Sequence, residues 1–205
     1  MQNEYEKLGI ASKHIYNGIA LEDYPFSATR GERLLYIGRV IKFKQPDVAV
    51  GLAILTRVPL DIVGGDRFVD DPSYVTWLKG FCDSQNVRYI GEVSHEVKLG
   101  YLRDSRSVLI PSAFGEPFGL VALEALASGR PVICLNDGAL PEVVENGVSG
   151  FVCDSAREMA RVVRDGSDLK LSGEICRRRA ERFSREKMAE GYLGLYSEVL
   201  KGNEW

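Results

Sequence analysis

Short apolar runs alternate with stretches of helical pattern along this chain, and that alternation limits the folds open to it. Candidate strands lie at Leu34–Gly38, Leu60–Val63, Tyr89–Ile90, Val108–Ile110 and Val132–Leu135, with Phe151–Val152 as a weaker sixth. Most are unbroken apolar runs rather than apolar–polar alternations. Strands buried on both faces of a parallel sheet read this way. Strand–helix alternation predicts right-handed βαβ units, and so an α/β fold with a Rossmann-like, doubly wound parallel sheet.

The helical stretches carry their own start and stop signals. Pro72 opens one over Ser73–Ser84. A second covers Ser94–Ser105, with Val97, Leu99 and Leu102 on its expected buried side. The third, Leu120–Ser128, stops at Gly129 and is sealed by Pro131, the pattern of a helix C-terminus. Pro141 suits the first turn of a short helix over Glu142–Glu145. Ser155-Ala156-Arg157-Glu158 reads as a capping box. Two charged helical stretches, Arg177–Arg182 and Ser184–Leu200, close the chain. The first 27 residues differ. They read as a linker, with a strand-like His14-Ile15-Tyr16 and the turn dipeptide Asn17-Gly18.

Composition narrows the function classes. The 205 residues hold 26 basic and 29 acidic side chains, a net charge of −3, so no global basic face invites nucleic acid. The run Arg177-Arg178-Arg179 reads as a solvated helix face. No stretch of about 20 apolar residues spans a membrane. The longest apolar region, Phe118–Leu135, is broken by Glu124 and by Gly129-Arg130-Pro131. Cys82, Cys134, Cys153 and Cys176 form no C-x-x-C pair and read as reduced thiols. With a polar N-terminus, this predicts no signal peptide and a cytoplasmic protein, possible membrane contact aside. The two histidines, His14 and His95, read as surface or cap residues.

Ligands of an open α/β sheet bind beyond the carboxyl ends of its strands. After the first strand come Gly38, Arg39 and Lys44. A guanidinium fork and an ammonium point charge suit phosphate oxygens. Ordinary solvated cations would give the same residues. After Val108–Ile110 comes the loop Pro111–Gly119, leading straight into the helix from Leu120. A helix N-terminus with unpaired N–H groups attracts anions. Glu116 hangs from this loop, and Glu124 follows eight residues later among leucines, alanines and a valine. A carboxylate in so apolar a helix must be paired or must serve a ligand. Carboxylate oxygens accept well from vicinal hydroxyls. After Val132–Leu135 comes Asn136-Asp137-Gly138-Ala139, a further strand–turn–helix unit at the same edge. Cations on one strand-end loop beside acids and glycines on two others point to a nucleotide diphosphate attached to something hydroxylated. The P-loop, the G-x-S-x-G elbow and the dinucleotide G-x-G-x-x-G are all missing.

On these residues the chain resembles the C-terminal, donor-binding half of the group-1 (family-four) retaining glycosyltransferases, which have the GT-B architecture. The family's paired glutamates, seven residues between them, match Glu116 and Glu124 within Pro111–Ile133. Its Gly-Arg and Lys element matches Gly38, Arg39 and Lys44. Asn17-Gly18 ahead of an aromatic, Tyr24, and the segment Gly138–Phe151 match as well, with Ala139 where the family has a second glycine.

The resemblance implies specific roles. Arg39 and Lys44 would hold the diphosphate, and with Glu116 they would form the catalytic set. Glu116 would bind donor-sugar hydroxyls near the reacting carbon. Pro117, Phe118, Gly119 and Leu120 would offer backbone to sugar and phosphate. Glu124 would hold the ribose, and Gly91 to Val93 would flank the base. No metal or other cofactor is expected, and the donor would be a UDP-, GDP- or ADP-linked sugar. Residues 1–27 would be an interdomain linker, 28–183 the donor domain and 184–205 a helix crossing back to an acceptor domain supplied in cis or by a separate chain. Membrane contact, if any, would lie on that other half. The alternative functions are a non-catalytic nucleotide-sugar-binding subunit and a sugar-nucleotide epimerase.

Overall fold

The computed structural model describes residues 12–66, 71–82 and 85–202. Six strands form one parallel sheet: β1 (Leu34–Ile37), β2 (Leu60–Val63), β3 (Val87–Gly91), β4 (Val108–Ile110), β5 (Val132–Leu135) and β6 (Gly150–Cys153). Their order across the sheet is β3-β2-β1-β4-β5-β6. The direction of winding reverses between β1 and β4, where Leu35 pairs with Val108 and Tyr36 with Leu109. The weak sixth strand is real. It pairs with β5 along its length, Val132 opposite Gly150 and Leu135 opposite Cys153.

Eight α-helices are described: α1 (Pro46–Thr56), α2 (Pro72–Lys79), α3 (His95–Asp104), α4 (Leu120–Ala127), α5 (Leu140–Val143), α6 (Ala156–Arg164), α7 (Gly173–Ala180) and α8 (Arg185–Leu200). Alternate strand residues feed the two faces. Leu34, Tyr36, Leu60, Ile62, Leu109 and Ile133 pack with α1, α2 and α6. Leu35, Val108, Ile110, Val132 and Cys134 pack with Leu102 of α3, the apolar side of α4, and Cys176 and Ala180 of α7. Each fully buried leucine or isoleucine removes enough apolar surface for about 1.5–3 kcal/mol. The unbroken apolar runs reflect this two-sided burial.

Local signals explain most helix ends. Ser94 accepts from Val97 N–H and caps α3. Ser155 accepts from Glu158 N–H, and the Glu158 carboxylate accepts in return from Asp154 N–H at 3.0 Å. This is the expected capping box, its return bond shifted by one residue. Pro141 lies in the first turn of α5.

Several expectations are corrected. The helix α1 lies where no helix is expected. Its stretch Val48–Leu55 is apolar on all sides and interrupted by Gly51, so it carries no 3.6-residue period to read. His14-Ile15-Tyr16 is not a strand. The bridge falls later, at Ile19, whose N–H donates to the Phe183 carbonyl and whose carbonyl accepts from Arg185 N–H. On α3, Leu102 is buried but Val97 is half exposed. The α2 helix ends at Lys79, short of the expected Ser84, and residues 83–84 lie outside the described set.

Arg177 and Arg179 are not solvated cations. Arg177 donates to the carbonyls of Leu21, Tyr24 and Ala127, and Arg179 to those of Glu142 and Val143. Only Arg178 of the three is exposed. Their planar forks tie α7 to Leu21 and Tyr24 and to α4 and α5, contacts between remote segments that charge patterning does not reveal. Cys134, Cys153 and Cys176 are buried free thiols, and Cys82 is partly exposed.

Candidate functional site

The loops after β1, β4 and β5 leave the same edge of the sheet, on either side of the reversal in winding. That position is where open α/β sheets hold ligands. A cavity of about 320 Å³ opens there, and Lys44, Glu116, Pro117, Phe118, Gly119 and Leu120 contribute to its wall. These are six of the eleven residues expected from the sequence.

Each arrives by a distinct route. Lys44 ends a single 3-10 turn, Lys42–Lys44, that follows β1. The Tyr36 hydroxyl anchors that turn from inside the sheet. It donates to the Arg39 carbonyl at 3.0 Å, with the Lys44 carbonyl 3.4 Å away. Burial chiefly raises the Tyr36 phenol above its ordinary value, so it stays a donor. Glu116 comes from the loop after β4. Its carboxylate accepts from the Lys44 ammonium at 2.6 Å, and both side chains are mostly buried. The same ammonium lies 4.4 Å from the centre of the Phe114 ring.

Gly119 precedes α4 in the left-handed region, with φ of 87°. A Cβ there would meet only the terminal methyl of Leu140, at 2.7 Å, so it is the left-handed backbone that favours glycine. No side chain caps α4 at this end. Its first N–H groups and the positive end of its dipole face the cavity edge at Gly119 and Leu120.

Glu124 lies one turn further along α4 and does not line this cavity. Its carboxylate accepts from the Lys98 ammonium at 2.8 and 2.9 Å and from the Tyr24 hydroxyl at 3.0 Å. Among the described residues this partly buried acid has neither an arginine nor a backbone partner. Lys98 of α3 and Tyr24, far upstream in the chain, hold it. Burial chiefly raises the Tyr24 phenol, with the Glu124 charge adding to it.

The other expected residues stand apart from the cavity wall. Gly38 and Arg39 follow β1 directly. Arg39 is exposed and makes no side-chain hydrogen bond or ion pair with a described residue. Gly91 ends β3, and Val93 lies two residues on, both partly buried. Sequence reasoning missed Asn17, Tyr36 and Ser112 in the wall, and Lys98 and Tyr24 as partners of Glu124. Asn17 and Tyr24 did carry a signal, since both belong to the linker pattern. Tyr36 carried none, being one more apolar strand residue. Among the described residues no group of three or more His, Cys, Asp or Glu is placed to hold a metal ion. No helix among them is long and apolar enough to cross a membrane.

Known proteins resemble this chain in sequence and in fold. The family model for glycosyl transferases group 1 matches residues 25–186. A D-inositol 3-phosphate glycosyltransferase of Streptomyces bingchenggensis is 30% identical over 185 residues, covering 82% of this chain and 41% of its own. A glycogen synthase of Mycobacterium tuberculosis is 31% identical over 187 residues, covering 87% of this chain and 44% of its own. The chain thus spans about two fifths of the length of these relatives. Among solved structures, Anabaena HepE in complex with UDP superposes with a TM-score of 0.84 at 21% identity, over 96% of this chain and 61% of that one. AviGT4, a glycosyltransferase involved in avilamycin A biosynthesis, superposes with a TM-score of 0.80 at 26% identity, over all of this chain and 64% of its own.

Proposed function

The chain belongs to the group 1 glycosyl transferases, and from that premise we propose that it is the donor-binding half of an enzyme that transfers a hexose from a nucleotide-diphosphate sugar with retention. The observation that carries this reading is the Lys44–Glu116 pair beside the uncapped N-terminus of α4, at the reversal point of the sheet. It sets a cation, a carboxylate and free backbone donors around one cavity. The diphosphate takes the Lys44 ammonium, the exposed Arg39 guanidinium and the α4 N-terminus. Glu116 then turns to hydroxyls of the sugar, and Glu124, held by Lys98 and Tyr24, to those of the ribose. Gly91 and Val93 flank the base.

The chemistry follows from charge. As the bond from sugar to phosphate breaks, negative charge grows on the departing diphosphate. Fixed cations and helix N–H groups stabilise that charge without reorganising. On this reading the leaving group needs no metal ion. The acceptor and the second wall of the cleft come from a further domain or chain, without which acceptor positioning and exclusion of water are lost. The complexes of HepE with UDP and with UDP-glucose support a nucleotide-sugar ligand for this fold.

Isothermal titration with UDP, GDP and ADP, each alone and as a sugar conjugate, tests the reading. One nucleotide should bind, more tightly with one sugar attached, and more weakly to Arg39→Ala. A protein that binds none of the six, alone or joined to its acceptor half, is not a donor domain. Release of free nucleotide diphosphate when acceptor is supplied separates a transferase from a binding subunit or an epimerase.

A further inference from the structure

Glu116 sits in a loop, Pro111–Gly119, that has no regular structure of its own. Phe114 and Gly115 are exposed, and Gly115 takes a positive φ of 75°. Something outside the loop must therefore fix where the Glu116 carboxylate points. The segment after β5 does so. Three consecutive backbone N–H groups, of Phe114, Gly115 and Glu116, converge on the Asp137 carboxylate. Asp137 Oδ2 accepts from all three, at 3.2, 2.9 and 3.0 Å, and Oδ1 accepts from Gly115 at 3.1 Å. Successive N–H groups aimed at one point form an anion-binding concavity, and here the protein fills it with its own charge.

The next two residues complete the hold. A Cβ on Gly138 would lie 2.2 Å from the Glu116 carbonyl oxygen, so only glycine lets the chains meet this closely. Ala139 N–H donates to that same oxygen at 2.8 Å. Residues 137–139 thus grip Glu116 by both its N–H and its C=O. Asp137 does not line the cavity and bonds neither to Lys44 nor to the Glu116 carboxylate.

We propose that Asp137 is a positioning residue that orients Glu116 toward the donor sugar, so that recognition of the sugar, rather than of the nucleotide, depends on it. The inference rests on the donor-binding reading above. It extends that reading to a residue that touches no ligand. Removing the carboxylate leaves three N–H groups without their acceptor and lets the loop relax. The backbone at Arg39 and Lys44 is anchored separately, by the Tyr36 hydroxyl on their carbonyls, so the cations that face the diphosphate stay on their own loop. An asparagine with its oxygen at the Oδ2 position keeps an acceptor for all three N–H groups.

The test uses the full chain, with Asp137→Ala and Asp137→Asn, titrated with UDP, GDP and ADP alone and as sugar conjugates. Asp137→Ser replaces the alanine variant if that one does not fold. Amide exchange at residues 114–116 is followed in parallel. In Asp137→Ala, exchange at these amides should speed up. The extra affinity that a sugar conjugate has over its bare nucleotide should fall about tenfold, with bare-nucleotide affinity held within about twofold. Asp137→Asn should recover most of the loss. An unchanged sugar increment in Asp137→Ala overturns the proposal. So does an equal loss of bare-nucleotide binding, which marks general damage. If the parent binds no nucleotide, alone or joined to its acceptor half, the donor reading fails on its own. The Lys44–Glu116 pair, seen through the Lys44 side-chain resonances, then decides. Its loss in Asp137→Ala and survival in Asp137→Asn supports positioning, and its survival in both overturns it.

Discussion

Lys44 Nζ stands 2.6 Å from Glu116 Oε2, joining the loop after β1 to the loop after β4 across the seam where the sheet reverses its winding. The two residues are 72 positions apart in the chain, and the fold makes them a single unit. With both side chains mostly out of water, the carboxylate depends on this ammonium for its charge balance. On the proposed donor-binding reading, a diphosphate entering the cavity would meet a lysine whose carbonyl side is anchored by Tyr36.

The pair should show opposite signatures in stability and in binding. Lys44→Ala strands the Glu116 charge and should cost about 1–2 kcal/mol of stability, less than a fully buried pair loses. Adding Glu116→Gln to it removes the stranded charge and should return most of that stability. It should not return donor affinity, which we expect to stay at least tenfold down. Urea unfolding and nucleotide-sugar titration of the two single variants and the double variant check this. Full additivity in stability would show that the residues are not coupled.

Glu124 should depend on the two residues that hold it. Lys98→Met leaves the carboxylate without its cation, and nucleotide affinity should fall about tenfold, the effect of losing one charge-assisted bond. Tyr24→Phe removes one neutral donor and should cost about 0.5–1.5 kcal/mol in binding. Titration with bare nucleotide suffices, because the sugar end is not involved. Affinity unchanged in both variants would remove Glu124 from the ribose role.

Arg130 is buried to the last atom, and its guanidinium donates to the carbonyls of Ser27, Thr29 and Ser105. Burial is the main reason its pKa falls to about 10. Substitution by methionine leaves several carbonyls without a donor and should destabilise the chain by about 2–4 kcal/mol. Thermal unfolding of Arg130→Met measures it. A change below about 0.5 kcal/mol would mean that the packing of these segments does not depend on the guanidinium.

Alkali should weaken the fold through its tyrosines. Burial is the main cause that raises Tyr24, Tyr36, Tyr74 and Tyr89 above the ordinary 10.0. A phenol whose folded pKa exceeds its unfolded one favours folding fully below the unfolded value. That contribution is lost as pH rises through the folded value. Urea midpoints should therefore begin to drop as pH rises past about 10 and keep dropping at each higher pH, and phenolate absorbance in the folded chain should lag that of the unfolded chain. Coincident titration of folded and unfolded chains would contradict the burial of these four rings.

Much of the fold was legible because two-sided burial writes itself directly into sequence. Most of the six strands are apolar runs, since both faces of the sheet are largely covered, and the exceptions, Asp61 of β2 and Arg88 of β3, pair with each other. The helices that show a cap or a proline start, such as α3 and α6, were legible for the same local reason. The α1 helix was not, although Pro46 opens it. It carries apolar residues on every side, and without a polar face the helical period vanishes even though the helix is there.

The site divides along the same line. The types and places of Lys44, Glu116 and Gly119 are set by the sequence, because each follows a strand or opens a helix at the ligand-binding edge, and Glu124 stood out as the one acid in an apolar helix. What these residues do to one another was decided only by the tertiary structure. That Lys44 neutralises Glu116, that Lys98 and Tyr24 hold Glu124, and that Asp137 gathers three N–H groups behind Glu116 are contacts between segments 21 to 100 residues apart. Charge–charge and hydrogen-bond partnerships act over a few ångströms of space. A linear chain specifies which groups are available, and the winding of the sheet chooses which of them meet.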